Sequence, residues 1–137
     1  MSKPAAITRT KLPPWARMLP MFAVMAGIFY LSHQPGDDFD VVEIAHLDKV
    51  VHFLLYGVLA AATLYGLSPK FRRNFPIKAA VATFVICACY GMVDEFHQSF
   101  IAGRFPSIMD LVADMAGALS ICLLWCAKKR KGSHLNY

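Results

Sequence analysis

The chain has 137 residues, of which 57% are hydrophobic and 17% are charged, with a formal net charge of +5. Soluble domains average about 45–50% apolar residues and about 25% charged residues, and a soluble core of this size could not bury the excess. The composition therefore excludes disorder, a collagen-like chain, a coiled coil and a disulfide scaffold. The mean hydropathy of +0.46 indicates an integral membrane protein.

Four apolar segments are long enough to cross a bilayer, which takes about 17–25 residues in a helix. They are residues 15–31, 47–67, 77–93 and 110–127. Only helices satisfy every backbone group of such single spans in lipid, and the segments are too long and too evenly apolar for barrel strands. The sequence predicts an all-α bundle of four transmembrane helices over residues 15–127, between basic tails at 1–14 and 128–137.

Basic residues gather on one side of this predicted bundle. Twelve of the fourteen Lys and Arg residues lie near the N-terminus, between the second and third spans, or in the C-terminal tail. Lys49 and Arg104 lie on the other side, with all nine acidic residues. The positive-inside rule predicts that both termini are cytoplasmic. Since this topology already requires the basic tails, they do not indicate nucleic-acid binding.

The first span has a possible rival interpretation as a cleaved signal peptide. A basic segment precedes the rather short apolar stretch at residues 18–31. No small-x-small cleavage site follows that stretch, so the sequence favours an uncleaved anchor.

The cysteines all lie within apolar runs and lack the spacing of a zinc site. We expect them to be packing residues. They are Cys87, Cys89, Cys122 and Cys126.

Ionisable residues inside spans are costly and by default mark a functional site. In this chain they lie at the predicted outer ends of the second, third and fourth spans, at helical spacings that place them on one face of each helix. The three sets are Asp48, Lys49, His52 and Tyr56; Tyr90, Asp94, His97 and Gln98; and Ser107, Asp110, Asp114 and Gly117. The pattern predicts a shared polar site that faces the bundle interior or an outer cavity.

The connection between the third and fourth spans carries turn signals. Gly103 permits a turn with positive φ, and Pro106 indicates a break before the fourth helix. Ser107 is predicted to cap that helix, with Asp110 in its first turn. Arg104 is then the main cation facing the acidic residues of the site, and Lys49 is the other.

The first outer loop, residues 32–46, is compatible with either an interfacial helix or a solvated acidic loop. Both interpretations stay open, and its acidic residues are left outside the predicted site. They are Asp37, Asp38, Asp40 and Glu43. We expect His33, His46 and His134 to be solvated.

Other residues have two or more plausible roles. Tyr56 and Tyr90 fit either an aromatic belt or hydroxyl donors to the polar site. Small residues at helical spacing indicate close helix packing rather than chemistry. These pairs are Gly57 with Ala61 and Ala113 with Gly117.

Several segments resemble the VanZ-like family of membrane proteins. Residues 48–53, DKVVHF, with Tyr56 are similar to its DK-x-x-HF-x-x-Y block, and residues 94–100, DEFHQSF, are similar to its DE-x-x-Q-x-F block. Residues 32–35, SHQP, resemble the motif after its first span. The later GR, S, D and G positions correspond to Gly103, Arg104, Ser107, Asp110 and Gly117. The family often has Asn where this chain has Asp114, so the predicted site includes Asp110 and leaves Asp114 out.

The resemblance implies a multi-pass protein of the bacterial plasma membrane and cell envelope. The family's named member is associated with resistance to the glycopeptide teicoplanin, and for most members no reaction is established. The resemblance therefore implies fold, topology and site position more than a particular activity.

The predicted function is to bind or process a lipid-linked or cell-wall-related anionic ligand, such as a polyprenyl phosphate. The candidates for acid–base chemistry are Asp94, Glu95, His52 and His97. The candidates for ligand binding are Asp48, Lys49, Tyr56, Gln98, Arg104, Ser107 and Asp110. If a divalent cation bridges to the ligand, its predicted ligands are Asp94, Glu95 and Asp110, an oxygen-rich set that favours magnesium, calcium or manganese.

Three alternatives remain open at this point. The polar residues can pair with one another as a scaffold that fixes helix register. They can bind an envelope molecule or antibiotic without catalysis. They can also belong to a proton-coupled transporter or assembly partner. The sequence decides neither whether bonds are broken nor the oligomeric state.

Overall fold

The computed structural model describes residues 13–35 and 47–134, with the side chains of the last helix described as far as residue 129. Over these ranges a 3₁₀ helix, Pro14–Arg17, precedes five α-helices and no strand is present, which confirms the all-α class. The helices are α1 (Leu19–Ser32), α2 (Leu47–Gly66), α3 (Pro69–Asn74), α4 (Pro76–Gln98) and α5 (Ile108–His134). The acidic residues of the first outer loop lie outside the described residues.

Three helices are long and apolar enough to cross a membrane, namely Leu47–Gly66, Pro76–Gln98 and Ile108–Lys129. They correspond to the second, third and fourth predicted spans. The first predicted span corresponds to α1, a shorter apolar helix of 14 residues. The described chain is therefore a helical membrane bundle of three long helices and one short one.

The first predicted span, residues 15–31, is not one continuous α-helix. Pro20 lies in the first turn of α1. Its ring would clash with a helical carbonyl four residues earlier, and it has no N–H to donate, so the α-helix begins immediately before it. The preceding residues form the 3₁₀ helix Pro14–Arg17 instead.

The structure confirms the turn predicted between the third and fourth spans and the cap predicted at the start of the fourth helix. Helix α4 continues beyond Val93 to Gln98, which keeps the acidic and amide residues of this segment helical. Gly103 has a φ of 73°. The hydroxyl of Ser107 accepts a hydrogen bond from the Asp110 N–H at 3.3 Å, so Ser107 caps α5 as predicted.

Helix α5 packs mainly against α2 and α4, while α1 packs mainly against α2. The shared core contains Tyr56, Leu59 and Cys87 from the long helices, with Met21 and Ile28 from α1. Many large apolar side chains remain exposed on the outward faces of the helices, as a lipid-facing surface requires. Examples are Phe22, Leu54, Val81, Val85, Leu123 and Leu124.

The four cysteines are all free thiols. Cys87 and Cys122 are buried, as expected of packing residues, whereas Cys89 lies on an outward face. The Cys122 thiol contacts the Ala80 carbonyl oxygen at 3.4 Å, which joins α5 to α4.

Basic residues from separate parts of the chain meet at the end of the bundle where α2 ends. The Arg17 guanidinium lies 5.2 Å from the centre of the Tyr65 ring, and that of Arg72 lies 5.6 Å from the Trp125 ring. The Lys129 ammonium also lies over Trp125, at 4.7 Å. These basic residues therefore lie at the end of the bundle opposite the described acidic residues, beside which only Lys49 and Arg104 supply Lys or Arg side chains among the described residues.

Helices α2 and α5 approach backbone to backbone at Gly117. A Cβ atom at Gly117 would overlap the carbonyl oxygen of Phe53, and one at Gly57 would lie 3.7 Å from the Gly117 carbonyl oxygen. This contact confirms the prediction of close helix packing at Gly117. It also brings His52, the residue before Phe53, close to Asp114, which lies one turn before Gly117.

Replacing Gly117 by Ala should destabilise the bundle because the new methyl group forces α2 and α5 apart. Overpacking of this kind costs roughly 1–3 kcal/mol. Gly27→Ala is the matched control, since a Cβ there meets nothing within 4 Å, and alanine has the higher helix propensity. Thermal unfolding in detergent measures both variants. Equal shifts in the two melting temperatures would contradict the close contact.

Candidate functional site

The polar residues of four helices meet at one end of the bundle. They meet there because α1 and α4 end at the level where α2 and α5 begin. We call this set the polar layer. It comprises Ser32, Lys49, His52, Asp94, Glu95, Gln98, Asp110 and Asp114. Six of these residues are buried, and only Lys49 and His52 are partly exposed.

Asp94 joins α4 to α1. Its Oδ2 atom accepts a hydrogen bond from the Ser32 hydroxyl at 2.9 Å and one from the Gln98 side-chain amide at 3.3 Å. The same amide lies 3.4 Å from the Ser32 oxygen. These contacts satisfy the Oδ2 atom of Asp94, a residue that is only 3% exposed.

Two side-chain contacts join α2 to α5. The Nδ1 atom of His52 lies 2.9 Å from Oδ1 of Asp114, whose side chain is fully buried. One turn away, the Lys49 ammonium donates to Asp110 Oδ1 at 3.1 Å and to Asp48 Oδ2 at 2.8 Å. The side chains of Lys49 and Asp48 are 28% and 55% exposed, so this pair lies at the rim of the layer.

Glu95 joins α4 to the start of α5. Its Oε2 atom accepts a hydrogen bond from the backbone N–H of Ser107 at 2.7 Å. Ser107 therefore caps α5 with its hydroxyl and fixes Glu95 with its N–H. The predicted ligand-binding role of Ser107 stays a prediction.

Three buried polar atoms of this region have no hydrogen-bond partner within residues 13–35 and 47–129. They are Glu95 Oε1, Asp114 Oδ2 and Tyr56 Oη. A buried polar atom left without a partner costs about 1–3 kcal/mol. Each such atom in a native protein calls for an explanation, such as a bound ion.

His52, Glu95 and Asp114 form a compact group across three helices. One potential ligand atom from each residue lies within 4.8 Å of those of the other two. The sequence predicted a different set, Asp94, Glu95 and Asp110. Glu95 is the one member common to both sets. In the structure Asp94 instead contacts Ser32 and Gln98, and the carboxylate of Asp110 contacts Lys49.

Arg104 lies against the end of α1. Its guanidinium donates to the carbonyl oxygens of Leu31 and Gln34, at 3.2 Å in each case. A cation is favourable at a helix C-terminus, where carbonyl groups lack helical partners. The sequence predicted Arg104 as a cation facing the acidic residues and did not predict this contact with α1.

His97 lies at the edge of the bundle beside α1. Its ring is stacked on Phe29, with centroids 4.5 Å apart, and its Nε2 atom lies 3.2 Å from Nδ1 of His33. His33 is exposed, as the expectation of a solvated residue requires, but it also has this specific partner. The acid–base candidates are therefore divided between the buried layer and a histidine pair at its edge.

The two tyrosines have different environments. Tyr56 is fully buried in the core, which excludes the aromatic-belt interpretation for this residue. The Tyr90 hydroxyl donates to the Met25 carbonyl oxygen at 2.6 Å, so it links α4 to α1 rather than binding a carboxylate.

The sequence-based site omitted two residues of the polar layer. Asp114 was left out although it lies on the same helical stripe as Ser107 and Asp110, and this spacing was the signal that could have retained it. Ser32 appeared only within a short resembling motif. Nothing in the sequence indicated that its hydroxyl would contact Asp94 of a distant helix.

The fold and the polar layer define a helical membrane protein with charged residues buried at one end of its bundle. Residues 10–129 match the VanZ/LLP1 family. Because the match covers most of the chain, this protein belongs to the VanZ/LLP1 family, as the resemblance of its motifs predicted. No curated protein and no solved structure matches the chain.

Proposed function

We propose that this protein binds an anionic ligand of the cell envelope, lipid-linked or derived from a cell-wall precursor, at the polar layer. The protein would lie in the bacterial plasma membrane with both termini in the cytoplasm, so that the layer faces outward. The observation that carries the proposal is the convergence of polar side chains from four helices on one buried layer with a partly exposed cation at its rim.

The rim residue Lys49 supports an anionic ligand. Its ammonium group is partly exposed and is held between Asp48 and Asp110, so its position is fixed before a ligand arrives. Ammonium groups form strong charge-assisted hydrogen bonds with phosphate oxygens. A polyprenyl phosphate would place its head group at Lys49 and its hydrocarbon chain against the exposed apolar faces of the bundle.

The energetic cost of the layer favours a binding site over a scaffold. Hydrogen bonds between membrane helices contribute only about 0.6 kcal/mol on average. The unpartnered buried atoms of Glu95, Asp114 and Tyr56 cost more than such contacts return. A layer used only to fix helix register would not need these atoms.

The distribution of charge gives less support to proton-coupled transport. A proton path requires a chain of ionisable groups across the membrane. In the described spans the charged side chains lie near the helix ends, and the segments between them are largely apolar. Binding of a cell-wall precursor would also account for an effect on glycopeptide susceptibility without transport.

Lys49→Ala should weaken binding of undecaprenyl phosphate by about tenfold or more, because it removes a hydrogen bond to a charged group. Native mass spectrometry of the protein in nanodiscs, titrated with the lipid, measures the change. Lys49→Arg should retain most of the affinity. Lys78→Ala, at the first turn of α4 and the opposite end of the bundle, is the matched control. Equal affinities for Lys49→Ala and Lys78→Ala would contradict the proposed site.

The proposed orientation is tested with alkaline phosphatase, which is active only outside the cytoplasm. A fusion after residue 137 should be inactive, and a fusion after Gly103, in the connection between α4 and α5, should be active. Immunoblots of both fusions control for expression. Activity at residue 137 with none at Gly103 would reverse the topology and place the polar layer on the cytoplasmic side.

A further inference from the structure

We propose that His52, Glu95 and Asp114 hold a divalent transition-metal ion within the polar layer. The binding of this ion is independent of the proposed function, and only its role, to receive the anionic ligand, rests on that function. The proposal assigns a metal to residues of α2, α4 and α5 that differ from the oxygen-only set expected from the sequence.

The first argument is geometric. Potential ligand atoms of the three residues lie within 4.8 Å of one another, so a single ion can reach all three with small side-chain adjustments. Glu95 and Asp114 are buried and His52 is nearly so. Each helix supplies one ligand, and the neighbouring packing contacts restrict where these ligands can move.

The second argument concerns the hydrogen bonding of the Glu95 and Asp114 carboxylate oxygens. Each carboxyl group has one oxygen bonded and one without a partner. Glu95 Oε2 accepts from Ser107 and Asp114 Oδ1 contacts His52, while Glu95 Oε1 and Asp114 Oδ2 have no partner in the described part of the chain. A cation between them would satisfy both oxygens.

The third argument concerns the imidazole of His52. Its Nδ1 atom lies 2.9 Å from Asp114 Oδ1, close enough for one ion to contact both atoms. With the ring proton on Nε2, the lone pair of Nδ1 is available to the ion. Metal ligands are deprotonated, so binding of the ion would release any proton that His52 and Asp114 share.

A nearby unpartnered group strengthens the assignment. Tyr56 is fully buried and its hydroxyl has no partner among the described residues. A Cβ atom built on Gly91 would lie 3.0 Å from Asp114 Oδ2 and 3.4 Å from the Tyr56 ring, so both side chains reach the same part of α4. A water bound to the ion would give this hydroxyl a partner.

The donor set decides the class of ion. Magnesium and calcium prefer oxygen donors throughout, whereas a set with one imidazole nitrogen suits manganese, iron, cobalt or zinc. In the usual order of affinity for divalent transition metals, manganese is the weakest. We therefore expect zinc to bind more tightly than manganese, and magnesium to bind weakly.

The ion also resolves an electrostatic difficulty of the proposed function. The layer contains four carboxyl groups, Asp94, Glu95, Asp110 and Asp114, which would repel an anionic ligand if they were ionised. A divalent cation offsets two negative charges and leaves a coordination position for a phosphate oxygen. Lys49, already paired with Asp110, would then act at the rim beside the ion.

The test measures metal directly on the full chain, purified in detergent and stripped with a chelator. Titration with zinc, manganese and magnesium chlorides, followed by elemental analysis after desalting, should give about one zinc per chain and no stable magnesium. Glu95→Gln and Asp114→Asn should weaken zinc binding by more than tenfold, while Asp94→Asn should retain it. Asp94→Asn is the matched control because it changes the same chemistry in the same layer, at a residue held by Ser32 and Gln98.

A second measurement on the unaltered protein covers the case in which a variant does not fold. The absorption spectrum of the cobalt-loaded protein should show nitrogen and oxygen coordination. A thiolate charge-transfer band would assign the metal to the free cysteines and overturn the proposal. Loss of zinc in Asp94→Asn but not in Asp114→Asn, or no zinc bound by the unaltered protein, would also overturn it.

The two proposals fail separately. Lys49→Ala should weaken lipid binding and leave zinc binding unchanged. If zinc binds as described but Lys49→Ala leaves lipid affinity unchanged, the proposed ligand is wrong and the metal site stands. If no zinc binds while Lys49→Ala weakens lipid binding, the metal proposal is wrong and the proposed function stands.

Discussion

Carboxyl groups buried in an apolar bundle need partners, and the packing of this end of the protein depends on that requirement. Each of the four buried carboxyl groups is met by a group from another part of the chain. The contacts are Asp94 with Ser32, Asp114 with His52, Asp110 with Lys49, and Glu95 with the Ser107 N–H. Together they join α4 to α1, α2 to α5, and α4 to the start of α5. The polar layer is therefore both the candidate site and the main set of directional contacts between helices.

The apolar part of the bundle makes these contacts possible. Gly117 allows the backbone of α5 to approach that of α2 at Phe53, and this crossing lies next to the pair formed by His52 and Asp114. A wider separation would leave the Asp114 carboxyl group without its partner. Gly91 likewise allows α4 to lie close to the Asp114 side chain of α5, because a Cβ atom at this position would lie 3.0 Å from Asp114 Oδ2.

Much of the fold could be predicted because it depends on local properties of the chain. Hydropathy identified the three long helices, and residue chemistry identified the cap at Ser107 and the turn at Gly103. The division of the first span was missed, although Pro20 marks it, since proline is unfavourable in the interior of an undistorted helix.

The pairing of residues across helices could not be predicted in the same way. Helical spacing shows which residues share a face, but it does not show which helix that face contacts or at what height. Asp114 was omitted because the resembling family often has Asn at this position, although it is more deeply buried than Asp110. Helical spacing also gave no indication that Arg104 contacts the end of α1, because this contact depends on how the connection after α4 folds back.

The central claim is that partners from other helices stabilise the buried carboxyl groups. A double-mutant cycle between Ser32 and Asp94 tests it without disturbing the proposed metal ligands. The stabilities of Ser32→Ala, Asp94→Ala and the double variant, measured by unfolding in detergent, should show a coupling of about 0.5–3 kcal/mol. Ser120, whose hydroxyl bonds within its own helix to Ala116, serves as the control and should show none with Asp94. Additive effects for Ser32 and Asp94 would contradict the account.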